Sequence, residues 1–349
     1  MELDNLGVLA LFEKSFEIDG RQLGGELPCY VIAEAGVAHF GSLEKAKRLV
    51  DLAVDGNADA VKFQIFDVNE MISDAATEWK QRMASRSLSF ADFEILQRYC
   101  GERGITFFAT PHDSRGLSML KELSVPAFKV GSGELRNYEF IEQILATNCP
   151  VIISTGMYSD RDLEDLIGLC KGVGNLKVAL LHCVTQYPTP PEEANLARMS
   201  MLQEKYGGIV GYSDHSVGFH IPVAAVGMGA KVVEKHIALD FDIPDAQDWK
   251  VACGPDTFVE FVRQVREVES ATCPRVSVSS ENEIKNRDWA CKSLVFSKNH
   301  KAGEVITLES LKAKRPGTGI SPDQKKKVVG RRLNKSKNAD SVLNWEDLQ

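Results

Sequence analysis

With 349 residues and a net charge of −8, the chain exceeds the usual size of one hydrophobic core and is too acidic for general nucleic-acid binding. The charge is unevenly spread: residues 290–349 hold 13 Lys and Arg against 6 Asp and Glu, which leaves −15 on residues 1–289 and a basic tail able to meet an anionic substrate. Eight cysteines without a CxxC spacing read as free thiols of a reducing, cytoplasmic compartment, and the lack of a long apolar run or a signal-like start predicts neither membrane span nor export.

Residues 1–26 are mixed in character and predict a hairpin or loop. From Cys29 the pattern becomes regular. Cys29 to Ala33 reads as a buried strand that stops at Glu34, Gly36 and His39, after which Ser42 caps a helix with Leu43, Ala46, Val50 and Ala53 on one face. Ala58 to Phe63 is a second strand and carries Lys62 and Gln64. The polar stretch 67–89 is too long for a turn, and such insertions often serve as lids. Phe90 to Gly104 predicts a helix closed by its glycine. Four further strands follow: Thr106 to Ala109 ends at Thr110, Pro111, His112 and Asp113, and Ala127 to Val130 at Gly131, Ser132, Gly133 and Glu134. Pro150 to Ile153 ends at Ser154, Thr155 and Gly156, and Val178 to Leu181 at His182, Cys183, Thr185 and Tyr187. Ile209 and Val210 break at Gly211 and give way to Tyr212, Ser213, Asp214 and His215. Lys231 to Val233 ends in Glu234, Lys235 and His236, and a last helix is expected over Pro255 to Ala271.

Eight short apolar strands, each followed by a helical pattern, predict a closed (β/α)8 (TIM) barrel, an α/β fold. A doubly wound open sheet is the weaker alternative, because no GxGxxG follows the first strand and polar residues stand at every strand end. The barrel is expected over residues 1–276, a linker over 277–289 and a small β-rich domain over 290–349, where Gly303 and the run Arg315 to Gly319 break the strand-like pieces. A domain that small is marginal alone, and docking on a barrel mouth would expose Arg315 to the site.

In a parallel barrel the C-terminal strand ends share one rim. His215 and His236 then face one site and form a candidate two-imidazole metal centre with open positions, although either alone reads as an ordinary polar cap. The same rim gathers Glu34, Glu134 and Glu234, the lysines Lys62 and Lys129, and the hydroxyls of Thr110, Ser132, Ser154, Thr185 and Ser213. Hydroxyls beside glycines, with Lys129 as counter-charge, suit a phosphorylated substrate. A lysine within a buried strand needs a salt-bridge partner or an anionic ligand, and the shared direction of Lys62 and Lys129 favours the ligand for both.

Taken in order, the segments CYVIAEAGVAHFGSLEKAKRLVDLAVDGNADAVKFQIF, FFATPHD, KVGSGEL, PVIISTGM, HCVTQYPTPPEEANL, VGYSDHSVGF, AKVVEKHIALD and KRPGTGI resemble the successive motifs of the sialic acid synthases over nearly the whole chain. That resemblance implies a TIM barrel followed by an antifreeze-like (SAF, β-clip) domain that caps the partner's barrel in a homodimer. It implies condensation of phosphoenolpyruvate with an N-acetylated amino sugar, N-acetylmannosamine first, to a nonulosonic acid and phosphate; 2,4-diacetamido sugars leading to legionaminic or pseudaminic acid are the alternative acceptors. Carried over by position, His215 and His236 match ligands of Mn²⁺ or Mg²⁺. Lys129, Ser132, Ser154, Ser213, Thr185 and Tyr187 match groups around phosphoenolpyruvate; Glu34, Lys62, Glu134 and Asp248 those around the sugar and the attacking water. Arg315 matches an arginine entering from the other subunit. Three departures stand out: Ala38-His39 replaces Asn-His in the first motif, Ala252 replaces a common serine, and the 67–89 stretch has no match to the family's substrate asparagine.

The implied reaction joins C3 of the enol to the sugar aldehyde, adds water at C2 and expels phosphate by C–O cleavage, with Glu134 preferred to Asp248 for the water proton. Glu234 reads as orienting a ligand or holding a hydroxyl. Two rivals remain: a Schiff-base aldolase using Lys129 or Lys62, and a sugar-binding barrel without activity.

Overall fold

The chain begins, after residue 10, with a hairpin of β1 (Ser15–Ile18) and β2 (Arg21–Gly24) that turns at Asp19–Gly20, both with positive φ (53° and 77°), the conformation an Asp-Gly turn favours. Eight parallel strands follow: β3 (Tyr30–Gly36), β4 (Ala60–Ile65), β5 (Thr106–Pro111), β6 (Phe128–Val130), β7 (Val151–Ser154), β8 (Val178–His182), β9 (Ile209–Asp214) and β10 (Val232–His236). Their hydrogen-bonded order is β5-β4-β3-β10-β9-β8-β7-β6, and β5 packs beside β6 to close the barrel. The computed structural model describes residues 11–244, 246, 248–273 and 279–349; residues 1–10 and positions 277–278 of the expected linker lie outside them. Two units divide at Cys273 and Pro274.

Helices alternate with the strands, as the periodicity predicts. Ser42 accepts from the Lys45 amide at the start of Leu43–Asp55, and Phe90–Arg103 opens on a Ser89–Asp92 capping box and ends at left-handed Gly104. The last barrel helix, Pro255–Thr272, buries Phe258, Phe261, Val262 and Val265.

Strand alternation sorts the side chains. Val31, Ala33, Val61, Phe63, Phe107, Val130, Ile153, Leu180, Tyr212 and Val233 face the helices and build the large core. Inward at the base sit Tyr30, Ile32, Ala60, Phe108, Ile152, Ala179, Leu181 and Val232, joined by Phe16, Ile18 and Leu23 of the hairpin. The hairpin is therefore a stopper in the barrel's N-terminal end. Two residues further along most strands, the inward positions become polar.

The 67–89 connection is not a bare loop: Val68–Met71 and Thr77–Ala84 are helical and lie over a small cluster of Val37, Phe66, Ile72 and Met83. In the second unit, Glu281–Ala290 forms a helix where a linker was expected. Its Ser280–Glu283 capping box and the lack of Gly or Pro explain the difference. That unit pairs β11 (Ser293–Phe296) with β12 (Leu311–Lys314) and closes a core of Leu294, Phe296, Ile306, Leu311, Ile320, Val328, Leu333 and Leu343. Val305 makes an isolated antiparallel bridge to Arg332.

Candidate active site at the barrel mouth

The inward polar layer lines an open cavity at the C-terminal strand ends. Of the residues singled out in the sequence, Glu34, Lys62, Thr110, Lys129, Ser132, Ser154, Thr185, Tyr187, Ser213, His215, Glu234, His236 and Asp248 line it. Glu134 does not. Its carboxylate accepts from Asn137 Nδ2 at 2.7 Å and stands 3.9 Å from His112 Nδ1, so it backs the wall that His112 forms. Its seat in a turn after β6, not in the strand itself, frees it from the inward alternation. Arg315 belongs to the second unit, where its Nε donates to the Ala290 carbonyl at 2.9 Å and its guanidinium lies 5.9 Å over the Trp289 ring.

Gln64, His112 and Cys183 also line the cavity without having been assigned to it. Gln64 follows Lys62 by two in one strand, so period-2 alternation was the available signal. Its amide donates to Glu34 Oε1 at 3.2 Å.

Four charges meet at the centre. Lys62 Nζ lies 2.9 Å from Glu34 Oε2 and 3.5 Å from Glu234 Oε2, and donates to Thr110 at 3.2 Å. Lys129 Nζ donates to Ser154 Oγ at 2.7 Å, but its carboxylate neighbour, Glu234 Oε1, is 3.8 Å away. The two ammonium groups respond differently. Burial disfavours both cations; for Lys62 the pull of Glu234 and Glu34 wins and raises its pKa, whereas for Lys129 burial prevails and lowers it. Burial pushes Glu234 up, yet Lys129, Lys62 and the Ser213 hydroxyl, which donates to it at 3.0 Å, hold it down at about 2. Lys62 is thus satisfied by the protein, and Lys129 is a cation short of a close anion.

Around Lys129 gather hydroxyl and amide groups. The Ser132 hydroxyl accepts from the Gly156 amide at 3.0 Å and sits 3.1 Å from Cys183 Sγ. A Cβ on Gly156 would collide with Thr185 Oγ1, Ser132 Oγ and Cys183 Sγ, so only glycine keeps this cradle open.

Opposite lie the imidazoles, with ring centroids 5.5 Å apart. His215 Nδ1 donates to the Val184 carbonyl at 2.6 Å, which makes Nε2 the acceptor; the Tyr187 hydroxyl donates to it at 2.9 Å. Burial and the neighbouring His236 lower the His215 pKa to about 3, so its ring is neutral at physiological pH. The neutral His215 ring, its tautomer fixed, with the His236 ring beside it, fits a divalent cation. Among the described residues no group of three or more His, Cys, Asp or Glu side chains is arranged for a metal, so the pair would leave further positions to substrate and water.

A stoppered (β/α)8 barrel whose polar mouth combines an anion cradle with two imidazoles has the architecture of barrel enzymes that act at their strand ends. Comparison with known proteins narrows this. The NeuB family pattern matches residues 49–276 and the SAF domain pattern residues 292–349. An N,N'-diacetyllegionaminic acid synthase of Campylobacter jejuni is 34% identical, covering 90% of this chain and 98% of that protein. The human N-acetylneuraminate-9-phosphate synthase is also 34% identical, over 90% of this chain and 91% of its own length. The crystal structure of an N-acetylneuraminic acid synthetase from Leptospira borgpetersenii in complex with citrate superposes with a TM-score of 0.73 at 31% identity, covering 79% of this chain and 97% of that one. The chain belongs to the NeuB family of sialic acid synthases, with a C-terminal SAF domain.

Proposed function

We propose that the protein condenses phosphoenolpyruvate with an open-chain N-acetylated amino sugar, N-acetylmannosamine first, giving an N-acetylneuraminate-type nonulosonic acid and phosphate. The observation that carries this is Lys129, a buried cation that bonds Ser154 and whose neighbouring carboxylate stands 3.8 Å away, in a cavity also lined by Ser132, Ser213 and Thr185. These groups hold the enol phosphate and carboxylate. C3 of the enol then attacks the sugar aldehyde, water adds at C2, and the tetrahedral adduct breaks its C–O bond to release phosphate. We assign the water proton to Asp248, supported by its place in the cavity lining; Glu134 reaches that lining only through His112. Glu34, Gln64 and Glu234 orient the sugar hydroxyls. His215 and His236 would hold Mn²⁺ or Mg²⁺, which when bound polarises the aldehyde.

The cavity lining contains two full cations, Lys62 and Lys129, and no arginine, against Glu34, Glu234 and Asp248. The equal identity to legionaminic and neuraminic relatives supports testing a 2,4-diacetamido sugar beside N-acetylmannosamine. The deciding experiment is phosphate release from phosphoenolpyruvate with a panel of acetamido sugars, with mass spectrometry of the product. Release that depends on one of them supports the proposal; no release with any member overturns it.

The lowered pKa of Lys129 also favours an amine nucleophile, the Schiff-base reading. Borohydride trapping of a keto-acid adduct on Lys129 would establish it. We further propose a homodimer in which Arg315 serves the partner's site, in the cytoplasm. Partial activity on mixing Arg315→Ala with a His215→Ala barrel would support action in trans. Absence of complementation would argue against it.

A further inference from the structure

Directly behind the histidines, on the outward faces of β9 and β10, Asp214 and Lys235 form an ion pair in which neither side chain is exposed (0% each). They are cross-strand partners, and each sits in sequence next to one of the inward histidines. Lys235 Nζ donates to Asp214 Oδ2 and, at 2.8 Å, to the Ser216 carbonyl. Asp214 Oδ1 accepts from the Ser216 hydroxyl at 2.7 Å and from its amide at 3.2 Å. Three polar groups of Ser216, the residue after His215, are thus tied to the pair. The His215 carbonyl accepts from the Thr189 amide at 2.7 Å, and the His236 carbonyl from the Cys253 amide at 2.8 Å.

A buried ion pair is a poor source of stability, since apolar residues of like volume commonly do as well or better. What this pair does provide is a fixed geometry at the turn that carries His215. We propose that Asp214 and Lys235 are positioning residues that clamp the turn at Ser216 and so fix where His215 and His236 present their ring nitrogens. This rests on reading the two histidines as the cation-holding pair.

The test is Mn²⁺ affinity, measured by electron paramagnetic resonance on the full chain without substrate, beside the melting temperature of each variant. Asp214→Val combined with Lys235→Met removes both charges at once. Ser216→Ala removes one hydrogen bond and strands no charge, so it decides the matter should the double variant fail to fold. The expected result is a dissociation constant raised about tenfold in the double variant and about threefold in Ser216→Ala, with melting temperatures near wild type. A merely structural role would lower the melting temperature and leave the affinity of the folded protein unchanged. Wild-type affinity in every variant that folds overturns the proposal. A wild-type protein that binds no Mn²⁺ and works fully after chelation removes the metal reading and this proposal with it.

Discussion

At the base of the barrel the strands turn Tyr30, Ile32, Ala60, Phe108 and Ile152 inward; at the mouth the same strands turn in Glu34, Lys62, Thr110 and Ser154. The backbone and its alternation are the same at both levels. Only residue type changes, two positions along. The base is closed by Phe16, Ile18 and Leu23 and contributes burial energy, about 1.5–3 kcal/mol for each large apolar side chain. The mouth holds four buried charges whose mutual attraction roughly repays their desolvation. One level stabilises the barrel, and the other spends little on stability and is free for chemistry.

The sharpest way to break this division is at the imidazoles. His215→Ala should lower turnover at least 10⁴-fold, about 5.5 kcal/mol of barrier, while circular dichroism shows an intact fold. Near-normal turnover in that variant would place the chemistry elsewhere. The converse change at the base, Phe108→Ala, should cost about 3–5 kcal/mol in urea denaturation while leaving the kinetic constants of the folded protein within about twofold. A large kinetic defect there would dissolve the distinction between levels. Lys129→Met should lower kcat/KM for phosphoenolpyruvate about 100-fold, near 2.7 kcal/mol, because it removes the buried cation beside Ser154. The smallest effect concerns acid. Burial lowers the His39 pKa from 6.5 to about 4, so below 6.5 the unfolded chain binds the proton and the folded chain does not. Stability is complete above pH 6.5 and falls as pH drops toward 4, by about 2 kcal/mol at pH 5. His39→Gln should flatten that slope; an unchanged slope would assign the acid sensitivity to other groups. Glu234 adds its own loss below pH 4.5, toward 2.

Much of this was legible in the residues. The eight strands lie within a few residues of where the apolar runs predicted them, and most strand-end polar groups line one cavity, because alternation in a strand leaves few choices. Lys62 and Lys129 looked alike in sequence and proved different, since only three-dimensional distance shows that Glu34 serves the first and not the second. Glu134 escaped the pattern because it lies in a turn, where no period constrains direction. The hairpin's task as a stopper was invisible: two strands of four residues carry too few apolar positions to announce what they cover.

That stopper makes the barrel a blind well. Whatever fits the deep seat at Lys129 and Ser154 shares one doorway with whatever binds nearer the rim, and a molecule at the rim bars the way in. With Phe16, Ile18 and Leu23 filling its base, every ligand of this well enters and leaves past the residues of the mouth.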